Sequence, residues 1–451
     1  CVIGVMNMEK ETREMILQMA EKEDVEFIRL QFTDMFGTLK NIAVTSSQLE
    51  KALNGQCKFP ASAVKGFPGS DEPDLYLYPD PDSFVILPWR PQQGKVARML
   101  CDVCYADGTP YEGCTRSILK GLLRKAREMG YYFYIGSECE FFLFQEDENG
   151  MPTTQTYERA GAFDLGPMDT GENARRDMVL TLEDMGFQVE SSYHETAPGQ
   201  HEIDFHWEKG LAAADSLMTF KFAVRMVARR HGLYATFMPK PKTGVPGSGL
   251  HFNFALYDKD GNNVFYDEKD PMKLSASARY FIGGLLAHAR GMSAITNPLV
   301  NSYKRLVPGY EAPVYESWST RNKSSLIWVP NARGWHTQVE LRSPDPAANP
   351  YLALAMCLAA GLDGLQNRIM PAEPVEQEPD AMSSEAREKL GITALPAGLG
   401  EAIAAMEQDP LIRQTLGERF VRSYLEAKRA EWKEYMPQVT QWEVEKYLCR
   451  I

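Results

Sequence analysis

Residues 134–144, YIGSECEFFLF, restrict what this chain can fold into more than any other stretch. Aromatic and branched residues mark it as a buried β-strand, yet Glu138 and Glu140 sit inside it. Side chains alternate along a strand, so both carboxylates take one face and Cys139 takes the other. An ionised carboxylate is costly to desolvate without a cation. A fold that buries this strand must therefore set positive charge against that face.

The same problem recurs in three more strand-like segments. SSYHETAPGQHEIDFHW carries Glu195 and Glu202 on either side of a Pro-Gly turn, GSGLHFNFALYD brings His251 after a glycine-rich approach, and TQVELRSPDP sets Glu340 beside Arg342. Five glutamates and one histidine make an oxygen-dominated donor set suited to Mg²⁺ or Mn²⁺, with the imidazole tolerated especially by Mn²⁺. Each carboxylate taken alone would equally read as a satisfied strand-edge residue. The net charge of −13, with no basic block, argues against nucleic acid or an anionic membrane as partner. No apolar run is long enough to cross a bilayer, and the first residues lack the charged-then-apolar order of a signal peptide, so a cytoplasmic location is expected. Eight cysteines in 451 residues do not make a disulfide framework. Cys101 and Cys104 form a C-x-x-C without a second ligand pair for zinc, and read as two packed side chains.

Strand signals such as VEFIRLQFTD, DLYLYPD and KVARMLCDV, preceded by the amphipathic helix EKETREMILQMAEKED, suggest a small and mostly β domain over residues 15–107. From CTRSILKGLL onward long helices alternate with strands, and the end of the chain is helical. Residues 108–451 read as one large α+β domain.

ECEFF, HETAPGQHEIDF, GSGLHFN, NSYKRLVPGYEAP and VELRSPDPAANPYLALA, in that order, resemble the type I glutamine synthetase family from about residue 20 to the C-terminus. The resemblance implies an α+β chain with an N-terminal β-grasp domain. Its catalytic α/β domain would use an antiparallel sheet to form a funnel-shaped site, lying between neighbouring subunits of a homo-dodecamer of two hexamers. It implies an ATP-dependent carbon–nitrogen ligase: the γ-carboxylate of glutamate takes the γ-phosphoryl of ATP, and ammonium or an organic amine then displaces phosphate.

By the same resemblance Glu140, Glu195 and Glu202 hold one Mg²⁺ or Mn²⁺ ion near the glutamate. Glu138, His251 and Glu340 hold another near the ATP phosphates, giving two or more ions per site. Arg305, Arg342 and the backbone at Gly247 match the glutamate-binding positions, where an Arg fork suits a carboxylate. Glu311, in PGYEAP, matches a flap glutamate that takes a proton from the attacking amine, and Asp74 matches a carboxylate of the ammonium site. Glu190, Phe205, His206, Trp207, Asn253 and Lys323 fall where the family contacts nucleotide.

The departures concentrate at two places. Where the family reads like F-D-G-S-S-I-E-G-F, residues 59–67 read FPASAVKGF, so Pro60 replaces the ammonium-site aspartate and Ala63 a serine. Ala162 stands where a pocket tyrosine is usual, while Asp74 is retained. A larger, less polar pocket suits an amine with a carbon tail, whose burial contributes about 0.8 kcal/mol per CH₂. Lys323, Trp328 and Gln338 replace three phosphate-site arginines. Asp380 and Gly69 depart at the positions tied to adenylylation and feedback inhibition. Three readings follow: a glutamate–organic amine ligase, an ordinary glutamine synthetase using ammonium, and a non-catalytic metabolite-binding or regulatory paralogue.

Overall fold

The computed structural model describes residues 2–67, 73–90 and 92–451, the segment 2–11 by backbone alone. Gly69 therefore lies outside the described residues. Val2–Lys22 is a helix, and six strands follow: β1 (Val25–Thr33), β2 (Leu39–Thr45), β3 (Cys57–Phe59), β4 (Leu75–Pro79), β5 (Val85–Ile86) and β6 (Lys95–Cys104). They form one sheet in the order β2-β1-β6-β4-β3, with β5 also on β6. The β1–β2 hairpin turns at Gly37, whose φ of +83° suits a residue without Cβ. The Asp34 carboxylate accepts from the Phe36 and Thr38 amides inside that turn, at 3.0 and 2.9 Å. β6 runs parallel to β1, unlike its other neighbours. Cys101 and Cys104 sit three apart on β6, on opposite faces, and both are buried free thiols. That is the packing arrangement, not a ligand pair.

Eight further strands build the second sheet: β7 (Tyr132–Gln145), β8 (Val189–His194), β9 (Gln200–Lys209), β10 (Leu233–Thr236), β11 (Leu250–Tyr257), β12 (Trp318–Ser319), β13 (Ile327–Trp328) and β14 (Val339–Leu341). Their order is β12-β13-β14-β11-β7-β9-β8, with β10 also on β7. β7 is the spine, and period-two alternation divides its faces. Ile135, Cys139 and Phe141 pack with Ile203, Phe205, Leu250, Phe252 and Phe254 in the main core, beneath the Gly210–Arg230 helix. The even-numbered residues, Glu138 and Glu140, look away from that core.

Buried polar contacts tie the first sheet to the second body, among them Arg98 on β6, which donates to Thr219 Oγ1 at 3.1 Å. Asn349, the N-cap of the Pro350–Asn367 helix, donates to the Asp34 carbonyl at 3.1 Å. Arg116, buried at the start of the Thr115–Glu128 helix, gathers three carboxylates: Asp215 in a two-pronged contact at 2.9 and 2.8 Å, Asp80 at 2.7 Å and Asp102 at 3.0 Å. Asp80 and Asp102 belong to the first sheet region, Asp215 to the Gly210–Arg230 helix. Among the described residues no helix is long and apolar enough to cross a membrane.

Candidate active site

Strand register assembles the site from separate segments. Glu138 on β7 lies opposite Asp204 on β9 and His251 on β11. One step along, Glu140 lies opposite Glu202, which in turn faces Tyr193 on β8. On the other side Asn253 pairs with Glu340 on β14, and Glu340 with Trp328 on β13. Opposed residues of neighbouring antiparallel strands share a face, so four strands project one continuous acidic surface.

His251 joins its two halves. Its Nδ1 lies 3.1 Å from Glu138 and 3.7 Å from Glu340, and its Nε2 lies 4.0 Å from Glu140. Glu138, His251 and Glu340 bring one ligand atom each within 4.8 Å of one another, and so do Glu140, Glu202 and His251. Glu195 sits one residue beyond β8, in the turn and not on a strand, and its Oε2 accepts from the Thr196 amide at 2.9 Å. Its carboxyl still neighbours that of Glu202.

The electrostatics of this face call for cations. Burial, together with the nearby Glu140 and Asp204, pushes the Glu202 carboxyl well above its usual range. Burial, aided by Glu138 and outweighing Arg342, raises Glu340 to about 7. Glu140 is raised by burial and by Glu195, against the pull of His251 and Arg305. Glu138 alone is held low: burial opposes its charge, but His251, the Asn253 amide at 2.8 Å and Arg342 outweigh it. Five clustered carboxylates with too little positive charge are a fitting donor set for two hard divalent ions.

A metal must displace the protons that burial keeps on these groups. Mn²⁺ affinity should therefore rise from pH 6 to 8 by about tenfold per pH unit for each proton displaced. Calorimetric titration in two buffers of different ionisation enthalpy should register protons released at pH 7. An affinity independent of pH would contradict this.

The floor of the face is Gly249. A Cβ there would lie 2.6 Å from Arg305 Nη2, 2.7 Å from His251 Nε2 and 3.3 Å from Glu140 Oε1. Arg305 is fully buried, and its guanidinium donates to the carbonyls of Ser343, Pro344 and Arg342 at 2.8, 3.2 and 3.1 Å. Arg342 pairs with Glu340. Gln200, buried at the start of β9, donates to Glu140 Oε2 at 2.7 Å and to the Gly247 carbonyl at 3.2 Å.

Sequence reasoning missed Gln200, Asp204 and Gly249. Asp204 had a signal, standing two residues after Glu202 as Glu140 stands after Glu138. Burial raises it to about 7, and Ser191 donates to it.

The expected nucleotide contacts are dispersed. Asn253 lies on the acidic face and Trp207 beside Gly136, while Glu190 and His206 are exposed. Phe205 turns its ring into the core, against Phe187 and Phe220, so any nucleotide contact there would be through its backbone. Lys323 holds its ammonium 4.5 Å from the centroid of the Trp328 ring. Glu311 is exposed, with a φ of +58°. Asp74 and Pro60 lie at the β3–β4 end of the first sheet. Asp74 pairs with Lys58 at 2.7 Å.

Glu158, Asp169, His194 and His201 make a second buried group with metal-ligand spacing. A guanidinium already occupies its edge: Arg175 pairs with Asp169 at 2.8 Å and donates to His201 Nδ1 at 2.8 Å. An Arg can only donate, so that bond leaves the neutral His201 proton on Nε2, the atom a metal would need. The group reads as a charge-balanced scaffold beneath the Glu195 turn, where His194 Nδ1 donates to the Glu195 carbonyl at 2.6 Å.

Comparison with known proteins agrees with this geometry. Residues 24–106 match the beta-Grasp domain of glutamine synthetase, and residues 112–447 match its catalytic domain. A glutamine synthetase of Clostridium saccharobutylicum is 55 % identical over 441 residues, covering 98 % of this chain and 99 % of that protein. One of Staphylococcus aureus (strain N315) is 51 % identical over 438 residues, covering 97 % and 98 %. A solved structure described as a GmaS/ADP complex superposes with a TM-score of 0.88 at 31 % identity, covering 96 % of this chain and 99 % of that one. The chain belongs to the glutamine synthetase family of ATP-dependent glutamate ligases.

Proposed function

We propose that this chain joins glutamate to an organic amine through γ-glutamyl phosphate, giving a γ-glutamyl amide, ADP and phosphate. The observation that carries the acceptor is the turn after β3. Pro60 and Ala63 take the places of polar acceptor-site residues, and Asp74, the carboxylate retained there, is already paired with Lys58. A site so depleted of free carboxylate holds a bare NH₄⁺ poorly and leaves room for a carbon tail.

In this reading Glu138, His251 and Glu340 would hold one divalent ion, and Glu140, Glu195 and Glu202 the other. When bound, such ions neutralise and orient phosphate and carboxylate oxygens that otherwise repel one another. Arg305 and Arg342 favour the substrate carboxylate electrostatically, and the Gly247 segment orients it. A γ-carboxylate oxygen bonds to the γ-phosphorus of ATP as ADP leaves. The amine nitrogen then bonds to the acyl carbon as phosphate leaves, and Glu311 takes the proton the amine sheds. Lys323 supplies one compact positive charge where a fork would bind more firmly, which lowers the expected turnover. Subunits would assemble as a homo-oligomer, with the Pro60 turn of one chain facing the acidic surface of the next.

The names of the similar Clostridium and Staphylococcus proteins favour a second reading, glutamine synthesis from ammonium. Phosphate release from ATP with glutamate and Mg²⁺ or Mn²⁺ separates the two. Methylamine, ethanolamine or putrescine should outpace ammonium, with release lost in Glu311→Ala. Faster release with ammonium would overturn the acceptor assignment. No release with any amine, with metal still bound, would favour a binding paralogue.

A further inference from the structure

Lys240 is a half-buried ammonium with no carboxylate in ion-pair reach among the described residues. It donates to the Val245 carbonyl and stands 3.8 Å from the centroid of the Tyr310 ring. An ammonium so close to an aromatic face is held by the ring's quadrupole, more firmly where water is excluded. The Lys240 backbone is itself fixed on both sides: its amide donates to Asn301 Oδ1 at 2.8 Å, and Asn301 Nδ2 donates to its carbonyl at 3.0 Å. Asn301 leads directly into the Ser302–Arg305 turn that carries Arg305.

The two segments that meet at Lys240 both border the site. On one side, Gly247 is folded so tightly that a Cβ would fall 2.2 Å from the Pro239 carbonyl oxygen. Gln200 links the Gly247 carbonyl to Glu140. On the other side, Tyr310 immediately precedes Glu311. The left-handed backbone of Glu311 is disfavoured for a residue with a Cβ and persists where its neighbours hold it. A chain of contacts thus runs from Tyr310 through Lys240 and the Val245–Gly247 segment to Gln200 and Glu140.

We infer that Lys240 is a positioning residue, a latch that holds the 308–312 loop, and Glu311 with it, against the Pro239–Gly247 segment. The catalytic consequence rests on the role proposed above for Glu311; the latch itself stands on the contacts. Without the ammonium or the ring, the loop opens more often and Glu311 spends less time over the acyl carbon.

Cleavage of the folded full-length protein after Glu311 by a glutamate-specific protease tests this. Lys240→Met and Tyr310→Leu should be cut about tenfold faster than the parent chain. Lys240→Arg and Tyr310→Phe, which keep the cation and the ring, should stay close to it. In the phosphate-release assay Lys240→Met should lower kcat by about tenfold with KM for glutamate little changed. Equal cleavage of all five proteins would overturn the latch. So would a Lys240→Met protein of unchanged cleavage whose KM alone rises, which would make Lys240 a substrate contact. If the parent chain releases no phosphate with any amine, the proposed function fails, and the cleavage comparison still decides the latch.

Discussion

Gly249→Ala should reduce activity at least about 100-fold while leaving the chain folded. The added methyl has nowhere to go. It would meet Arg305 Nη2 at 2.6 Å and His251 Nε2 at 2.7 Å. Neither group can swing aside cheaply, because Arg305 is anchored to three backbone carbonyls and His251 lies between Glu138, Glu340 and Glu140. The Gly249 amide also donates to Glu140 Oε2 at 2.9 Å, so a shifted backbone moves a carboxylate of the second ion group. Overpacking of this kind costs about 1–3 kcal/mol of stability, too little to unfold a chain of this size. Circular dichroism should remain close to that of the parent chain, while Mn²⁺ affinity and phosphate release fall together. A fully active Gly249→Ala enzyme would mean that Arg305, His251 and Glu140 do not act from the positions described.

Arg116→Met should produce the largest loss of stability, about 3–5 kcal/mol. Removing the guanidinium leaves Asp80, Asp102 and Asp215 facing one another in a space where Arg116 is 5 % exposed. Lys120 still reaches Asp102 and the Tyr351 hydroxyl still donates to Asp215 at 2.7 Å, so the remaining repulsion centres on Asp80 and Asp215. Arg116→Lys should recover part of the loss, because one ammonium cannot reproduce a fork shared among three carboxylates. Adding Asp215→Asn to Arg116→Met should also recover part of it. Denaturant unfolding of the four proteins measures this, and a shift below about 1 kcal/mol for Arg116→Met would contradict the account. Asp80 and Asp102 belong to the first sheet region and Asp215 to the Gly210–Arg230 helix, so the loss should appear as weakened attachment of the first sheet to the second body.

What could be read in the sequence was local geometry. Two glutamates spaced by two in an aromatic strand had to share a face, and they do. His251 followed from its place in an apolar strand entered through glycines. Register could not be read, because no local pattern states that Glu138 lies opposite both Asp204 and His251. The strands β12, β13 and β14 span two or three residues each, too short for any alternation to register. Phe205 shows how a residue named by resemblance can be out of phase. It alternates with Ile203 toward the core, whereas Glu202 and Asp204 face the site. Gln200 and Gly249 were invisible for another reason: their importance lies in what converges on them from distant segments. Lys323 and Trp328 read as two separate substitutions, and only folding set one over the other.

The most direct test of the metal-site assignment is anomalous diffraction from crystals soaked in Mn²⁺. Two peaks per chain are predicted on the acidic face, one among Glu138, His251 and Glu340 and the other among Glu140, Glu195 and Glu202. A single peak there, none at all, or a peak among Glu158, Asp169, His194 and His201 instead would contradict it.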